Sequence, residues 1–284
     1  MAAMAEPRIR PKPSRFVRGR LLIQAVFLLV WLDPLALRLH TVCGSVYHCY
    51  ACPLALFACP VGVMANFSAL HVVPFIALGT LLLVGGLVGG FVCGWACPFG
   101  FLQDLVAKVP VPKVRLPSWT GYFRYAVLAG LVIAVPYFFG EAHPLFICRV
   151  CPAGAVEAGV PNLVREAAAG GSAAGMSTLK WAILVLFALA MFVKFRPWCS
   201  LFCPLGAIFG VFNRFSAVFL RANPKKCVQC GACRKMCPVN LAPERQLSDP
   251  LCIRCMQCTR CEAIEVKTAF GRPERAEPAS DRQN

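Results

Sequence analysis

Charge is what this sequence has least of. Only 15% of its 284 residues are Asp, Glu, Lys or Arg, against about 25% in ordinary soluble domains. Acid is scarcer still, with 13 Asp and Glu against 29 Lys and Arg. There are four histidines, no nucleophile elbow, and no glycine-rich nucleotide or flavin signature. Hydrolytic and nucleotide-dependent chemistry therefore have no residues to stand on. What replaces charge is apolar bulk, 58% of the chain, with a mean hydropathy of +0.64. Such a composition predicts an integral membrane protein. The net charge of +16 would suggest nucleic acid in a soluble chain. Here Lys and Arg gather beside apolar spans, as cytoplasmic loops require, so no nucleic-acid partner is expected.

Four apolar segments have spanning character: from residue 21 to about Leu39, Val72–Phe91, Tyr122–Phe139 and Leu179–Phe195. Residues 1–20 carry six arginines and lysines against Glu6. No small-residue cleavage site follows the first segment, which argues against a signal peptide. The basic stretches 1–20, 98–120 and beyond 194 predict an N-in, C-in topology in a bacterial cytoplasmic membrane, in contact with lipid. The neutral or balanced loops 41–71 and 140–178 then lie outside. Gly206–Leu220 reads as a short interfacial helix.

Cysteine is abundant, at 18 residues, and it is clustered. Cys-Pro-x-Gly occurs four times, beginning at Cys59, Cys97, Cys151 and Cys203. The order is outer tetrad, span, inner tetrad, then the same again, so the chain reads as two similar halves. Cys93-x3-Cys97 and Cys199-x3-Cys203 fall on the same predicted side. Together they supply four thiolates for one 4Fe–4S cluster shared between the halves. On the outer side, Cys49, Cys52, Cys148 and Cys151 are the favoured set. Cys43 and Cys59 are then spare; the alternative joins Cys59 to Cys148 and Cys151. A framework of structural disulfides competes on this side.

The run Cys227-x2-Cys230-x2-Cys233-x3-Cys237-Pro is the bacterial two-cluster ferredoxin spacing, and Cys252, Cys255, Cys258 and Cys261 form a second run. In that arrangement the fourth cysteine of each run ligates the other cluster. Cys227, Cys230, Cys233 and Cys261 then hold one cluster, and Cys237, Cys252, Cys255 and Cys258 the other. Zinc is the rival metal, since Cys-x2-Cys pairs also bind it. His40, His71 and His143, with Asp33, form a candidate quinone or proton site on the outer side; haem ligation by histidines is the alternative.

These features predict an all-α membrane domain, a four-transmembrane-helix bundle of two similar halves, at 21–222. A small α+β two-cluster ferredoxin domain follows at 223–267, then a disordered tail at 268–284. The expected cofactors are two 4Fe–4S clusters in the ferredoxin domain, one or two in the membrane domain, and a quinone.

The spans, the paired Cys-x3-Cys-Pro motifs and the C-terminal cysteines resemble the NapH-type membrane polyferredoxins. They are also similar to the membrane half of the nitrous-oxide reductase regulators. The most specific parts are CGWACPFGFLQDL at 93–105, CSLFCPLGAIFG at 199–210 and the cysteines of 227–261. The resemblance implies a quinol dehydrogenase subunit passing electrons between the quinone pool and redox protein partners. Cysteines at 43–59 and 148–151 depart from the simplest members and point to a different partner. The competing function is a redox sensor or a maturation factor for another redox enzyme.

Overall fold

The computed structural model describes residues 15–32, 59–160, 163, 167 and 177–269. Asp33, His40, Cys43, His48, Cys49 and Cys52 lie outside them, as does the stretch from 270 onward.

Four apolar helices stand where the four spans were expected. They are α1 (Arg15–Leu32), α3 (Phe75–Val88), α5 (118–139) and α6 (Thr178–Val193). Among the described residues, only α5 is both long and apolar enough to cross a membrane. The 14 residues of α3 and the 16 of α6 reach about 21 and 24 Å at a rise of about 1.5 Å per residue, short of a hydrocarbon core of about 30 Å. Their ends explain the shortening. Pro74 precedes α3, and Gly89, at φ 54°, ends it. The Ser177 hydroxyl caps α6 by accepting from the Lys180 amide, and the chain leaves extended at Lys194.

Short helices bring the cysteine loops inward. Helix α2 (Pro60–Ala69) packs against α5, and Val61, Ala65, Val127, Val132, Phe146 and Ile147 form one core there. Phe99, Phe187, Met191 and Trp198 form a second. The outer surfaces of α3 and α6 remain apolar, with Leu83 64% and Leu186 64% exposed.

Helices α4 (Pro98–Val106) and α7 (Pro204–Val211) each begin at the proline of a Cys-x3-Cys-Pro motif. Gly206–Leu220 is not one interfacial helix. Helix α7 stops at Val211, and β1 (Val218–Ala222) begins soon after. β1 pairs antiparallel with β2 (Ile264–Thr268), from Val218 opposite Thr268 to Ala222 opposite Ile264. The β-branched and aromatic side chains of these segments suit a ladder, which buries Leu220 and Ile264 beside Cys233, Met256 and Cys258. This two-stranded sheet closes the ferredoxin fold around short helix α8 (Ala232–Met236). Ala217 donates its amide to Gly86 O at 2.7 Å, tying the sheet to the end of α3.

Candidate metal centre

Each Cys-x3-Cys motif is a single π turn. The Cys97 amide donates to Val92 O at 3.1 Å and the Cys203 amide to Trp198 O at 2.9 Å, each reaching five residues back. Proline then forces the preceding cysteine out of the helical region. Cys97, Cys151, Cys203 and Cys237 take nearly one conformation: φ −71, −76, −69 and −75°, with ψ 116, 117, 113 and 116°. Proline needs no amide at a helix start. The glycine two residues later offers its amide to sulfur: Gly100 N lies 3.4 Å from Cys97 Sγ, and Gly154 N 3.5 Å from Cys151 Sγ. Cys-Pro-x-Gly is thus a device for presenting a sulfur to a helix N-terminus, where negative charge is favoured.

The two halves complete each other. Gln103, in the first half, donates Nε2 to Cys199 Sγ of the second at 3.0 Å. Arg196, in the second half, donates Nη1 to Cys93 O of the first at 2.8 Å. The thiols of Cys93, Cys97 and Cys151 all act electrostatically on Cys203. Cys97, Cys151, Cys199 and Cys203 pack around the same buried aromatic group. Cys151, expected on the opposite side, therefore reaches the neighbourhood of Cys203, because the loops dip between short helices. Cys148 and Cys59 meet around Gly62: a Cβ there would lie 3.4 Å from the Cys148 sulfur and 3.7 Å from that of Cys59. That pairing follows the alternative ligand set, in which Cys59 joins Cys148 and Cys151.

In the ferredoxin domain Cys237 interacts with Cys252, Cys255 and Cys258. These four border one open cleft. Cys261 acts instead on Cys233. Cys237 thus lies with the second run, and Cys261 near Cys233 of the first. The two runs share a backbone path as well. Gln229 and Arg254, just before the second cysteine of each run, have φ 53° and 46°, and Gly231 and Met256, just after it, have φ 67° and 60°. Three non-glycine residues in the left-handed region are a local cost, repaid by wrapping the chain around a common centre. Burial pushes the Cys252 thiol up to about 12 and, with Glu244 adding to the effect, the Cys233 thiol to about 11. Among the described residues, no three His, Cys, Asp or Glu side chains converge on a single-ion position. The thiol donors, with Cys237, Cys252, Cys255 and Cys258 together at one cleft, fit an iron–sulfur core.

Buried cations occupy the junction between these centres, although in sequence they stand out only as charges at span ends. Asp104 pairs with both Arg20 and Arg196, all three being buried. Arg20 also donates Nε to Gly94 O at 2.9 Å and Nη1 to Cys255 O at 3.5 Å. Arg254 donates to Val88 O, Val218 O and Asn213 O. Asn213 accepts from Gly90 N at 2.9 Å and donates to Cys252 O at 2.7 Å. The Trp95 indole donates to Arg254 O at 3.2 Å. The Cys252–Cys255 loop therefore lies directly on the Cys93–Cys97 turn. The one sequence signal was Asp104, an isolated acid in a basic connection.

His71 and His143 sit at one end of α5. The His71 ring packs edge-on to Tyr137 at 4.4 Å, and the His143 ring lies 5.0 Å from Phe139.

A family model described as a 4Fe–4S binding domain matches residues 70–117 and again 175–225, so each match contains one Cys-x3-Cys turn. A second 4Fe–4S binding domain model matches 221–241. Protein MJ0749 of Methanocaldococcus jannaschii is 27% identical over 61% of this chain and 61% of its own length. The methylamine utilization ferredoxin-type protein MauN of Paracoccus denitrificans is 48% identical over 21% of this chain and 22% of its own. The ferredoxin-type protein NapH of Escherichia coli is 34% identical over 31% and 33%. The chain thus spans less than two thirds of the length of each of these relatives. No solved structure matches it.

Proposed function

We propose that this chain, in which a 4Fe–4S binding domain model matches twice and which is similar to the ferredoxin-type proteins NapH and MauN, is a multi-pass membrane subunit carrying electrons between a quinone pool and redox protein partners. Bound 4Fe–4S clusters would supply one-electron carriage. In this reading the residues hold three centres in series. Cys93, Cys97, Cys199 and Cys203 hold the one nearest the lipid. Cys237, Cys252, Cys255 and Cys258 hold the next, and Cys227, Cys230, Cys233 and Cys261 the last.

The observation that carries the reading is the docking of the Cys252–Cys255 loop on the Cys93–Cys97 turn through Arg20, Trp95 and Asn213. A freely tethered ferredoxin would need no such contact. The contact fixes the two thiol sets as neighbours and excludes water with Ile253 and Met256, 3% and 1% exposed. An outer centre at Cys148 and Cys151, completed by Cys59 or by Cys49 and Cys52, would extend the series towards the histidine end of α5. There His71 and His143, beside Tyr137 and Phe139, offer a quinone head group aromatic surface and proton acceptors.

The orientation is N-in and C-in in a bacterial cytoplasmic membrane, supported by the basic stretches around α1, α4 and α7. The short α3 and α6 are accommodated by local thinning and by cysteine loops buried in protein.

The experiment is an iron count on the full chain purified in detergent, followed by quinol addition under EPR. About twelve or more irons per chain, with clusters reduced by quinol, are expected. Intact clusters that quinol leaves oxidised would sink the quinone link, and an iron-free, zinc-loaded preparation would sink the whole reading.

A further inference from the structure

Arg124 sits near the start of α5 and is 1% exposed. A guanidinium stays charged at any working pH. A buried charge without a counter-charge is costly. Yet no described carboxylate pairs with Arg124: Asp104 is engaged by Arg20 and Arg196. Arg124 donates Nη2 to the neutral carbonyl of Pro250, and its Nε has no acceptor. The repeat shows where an acid would have stood. Asp104 lies seven residues after Cys97, and the residue seven after Cys203 is Gly210. A Cβ on Gly210 would meet Pro250 O first, and Arg124 Nη2 at 2.8 Å. The second half has a backbone carbonyl where the first has a carboxylate.

The backbone of Cys199 and the side chain of Cys203 lie close to Arg124. A Cβ on Gly206 would stand 3.5 Å from Arg124 Nη1, 3.3 Å from Cys199 O and 3.8 Å from Cys203 Cβ. The charge of Arg124 also acts on the Cys93 thiol.

We propose that Arg124 is the counter-cation of the centre held by Cys93, Cys97, Cys199 and Cys203, and that it sets the reduction potential of that centre. The inference rests on those four cysteines holding one cluster. The charges then balance. Four thiolates around an oxidised 4Fe–4S core leave roughly two negative charges. Arg20 and Arg196 against Asp104 leave one positive charge, and Arg124 supplies the second. One-electron reduction adds a further negative charge, which a fixed cation favours. Removing that cation makes reduction harder.

The test uses the full chain purified in detergent as wild type, Arg124→Gln, Arg124→Lys and Cys97→Ser. Iron is counted, and EPR signals are followed through a dithionite titration. Arg124→Gln is expected to keep its iron and to move one signal to lower potential, the signal that Cys97→Ser abolishes. The two ferredoxin signals stay in place, and Arg124→Lys titrates close to wild type. An Arg124→Gln protein in which every signal titrates as in wild type overturns the proposal. If Arg124→Gln loses the iron of that centre, Arg124→Lys decides. Recovery by lysine upholds the charge. Loss in both variants assigns Arg124 to shape, through its bond to Pro250, and overturns it. Absence of any Cys97-dependent signal in the wild type removes the premise, and the proposal falls with it; that failure is visible before Arg124 is changed.

Discussion

Arg196 grips Asp104 with two parallel hydrogen bonds, the first from Nε to Oδ1 at 2.7 Å, across 92 residues of sequence. The pair locks the turn of one half against the helix of the other. Asp104→Asn would leave Arg20 and Arg196 buried without their anion. Removing one partner of a buried pair costs about 3–5 kcal/mol. The expected outcome is a lower thermal midpoint in detergent and a loss of about four irons per chain, read by calorimetry and iron analysis. Both ferredoxin signals should remain.

Gln103 offers a milder change. Its amide donates to Cys199 Sγ at 3.0 Å, and hydrogen bonds to cluster sulfurs are one of the levers on potential. Gln103→Leu should keep the iron count and lower the potential of one centre, measured by redox titration. It should cost about 1 kcal/mol in stability, the worth of one hydrogen bond.

Gly94 tests the contact between the domains. A Cβ there would stand 2.5 Å from Ile253 O and 3.0 Å from Arg254 O. Neither backbone oxygen can retreat without moving the Cys252–Cys255 loop. Gly94→Ala should leave each centre loaded and slow electron passage from quinol to the ferredoxin signals by tenfold or more, which stopped-flow spectroscopy would resolve. A tenfold effect corresponds to about 1.4 kcal/mol.

Crossed ligation separates the two ferredoxin centres. Cys237 neighbours Cys252, Cys255 and Cys258. Cys237→Ser should therefore abolish the same signal as Cys255→Ser, and Cys261→Ser the same one as Cys233→Ser. Ligation within each run predicts the opposite pairing.

Burial raises the Cys252 thiol to about 12 and the Cys233 thiol to about 11 in the metal-free fold. The neutral form is thus favoured on folding. The stability this adds is complete below the unfolded thiol range of about 8.5 and is lost as pH climbs towards 11–12. Metal-free protein should lose stability over that window in denaturant titrations. Loading requires thiolates and releases protons, so iron uptake should strengthen with pH over the same range.

The cysteine spacing made three sets of four visible in the sequence, and the apolar runs located α1, α3, α5 and α6. Helix length was less legible, because Gly89 and Lys194 end their helices inside hydropathy that continues beyond them. The convergence of Cys151 with Cys203 was hidden for the same reason: short helices draw in loops that a full-length span would hold apart. The buried cations were the largest gap. Arg20, Arg124, Arg196 and Arg254 look in sequence like charges at span ends. Their acceptors are backbone carbonyls and one distant carboxylate, and carbonyls carry no residue code.

The exchange of Gln103 for Arg196 across the halves has a consequence for biogenesis. Cys93 and Cys97 leave the ribosome about a hundred residues ahead of Cys203, a delay of about 5–20 s at ordinary synthesis rates. Throughout that interval the first pair has neither its partner thiols nor the Arg196 clamp, and Arg124 is already made without its counter-charge. The first half is therefore a waiting intermediate, exposed to oxidation and to stray metals. Assembly of that centre must follow synthesis of α6, with the Cys199 turn as the last piece to arrive.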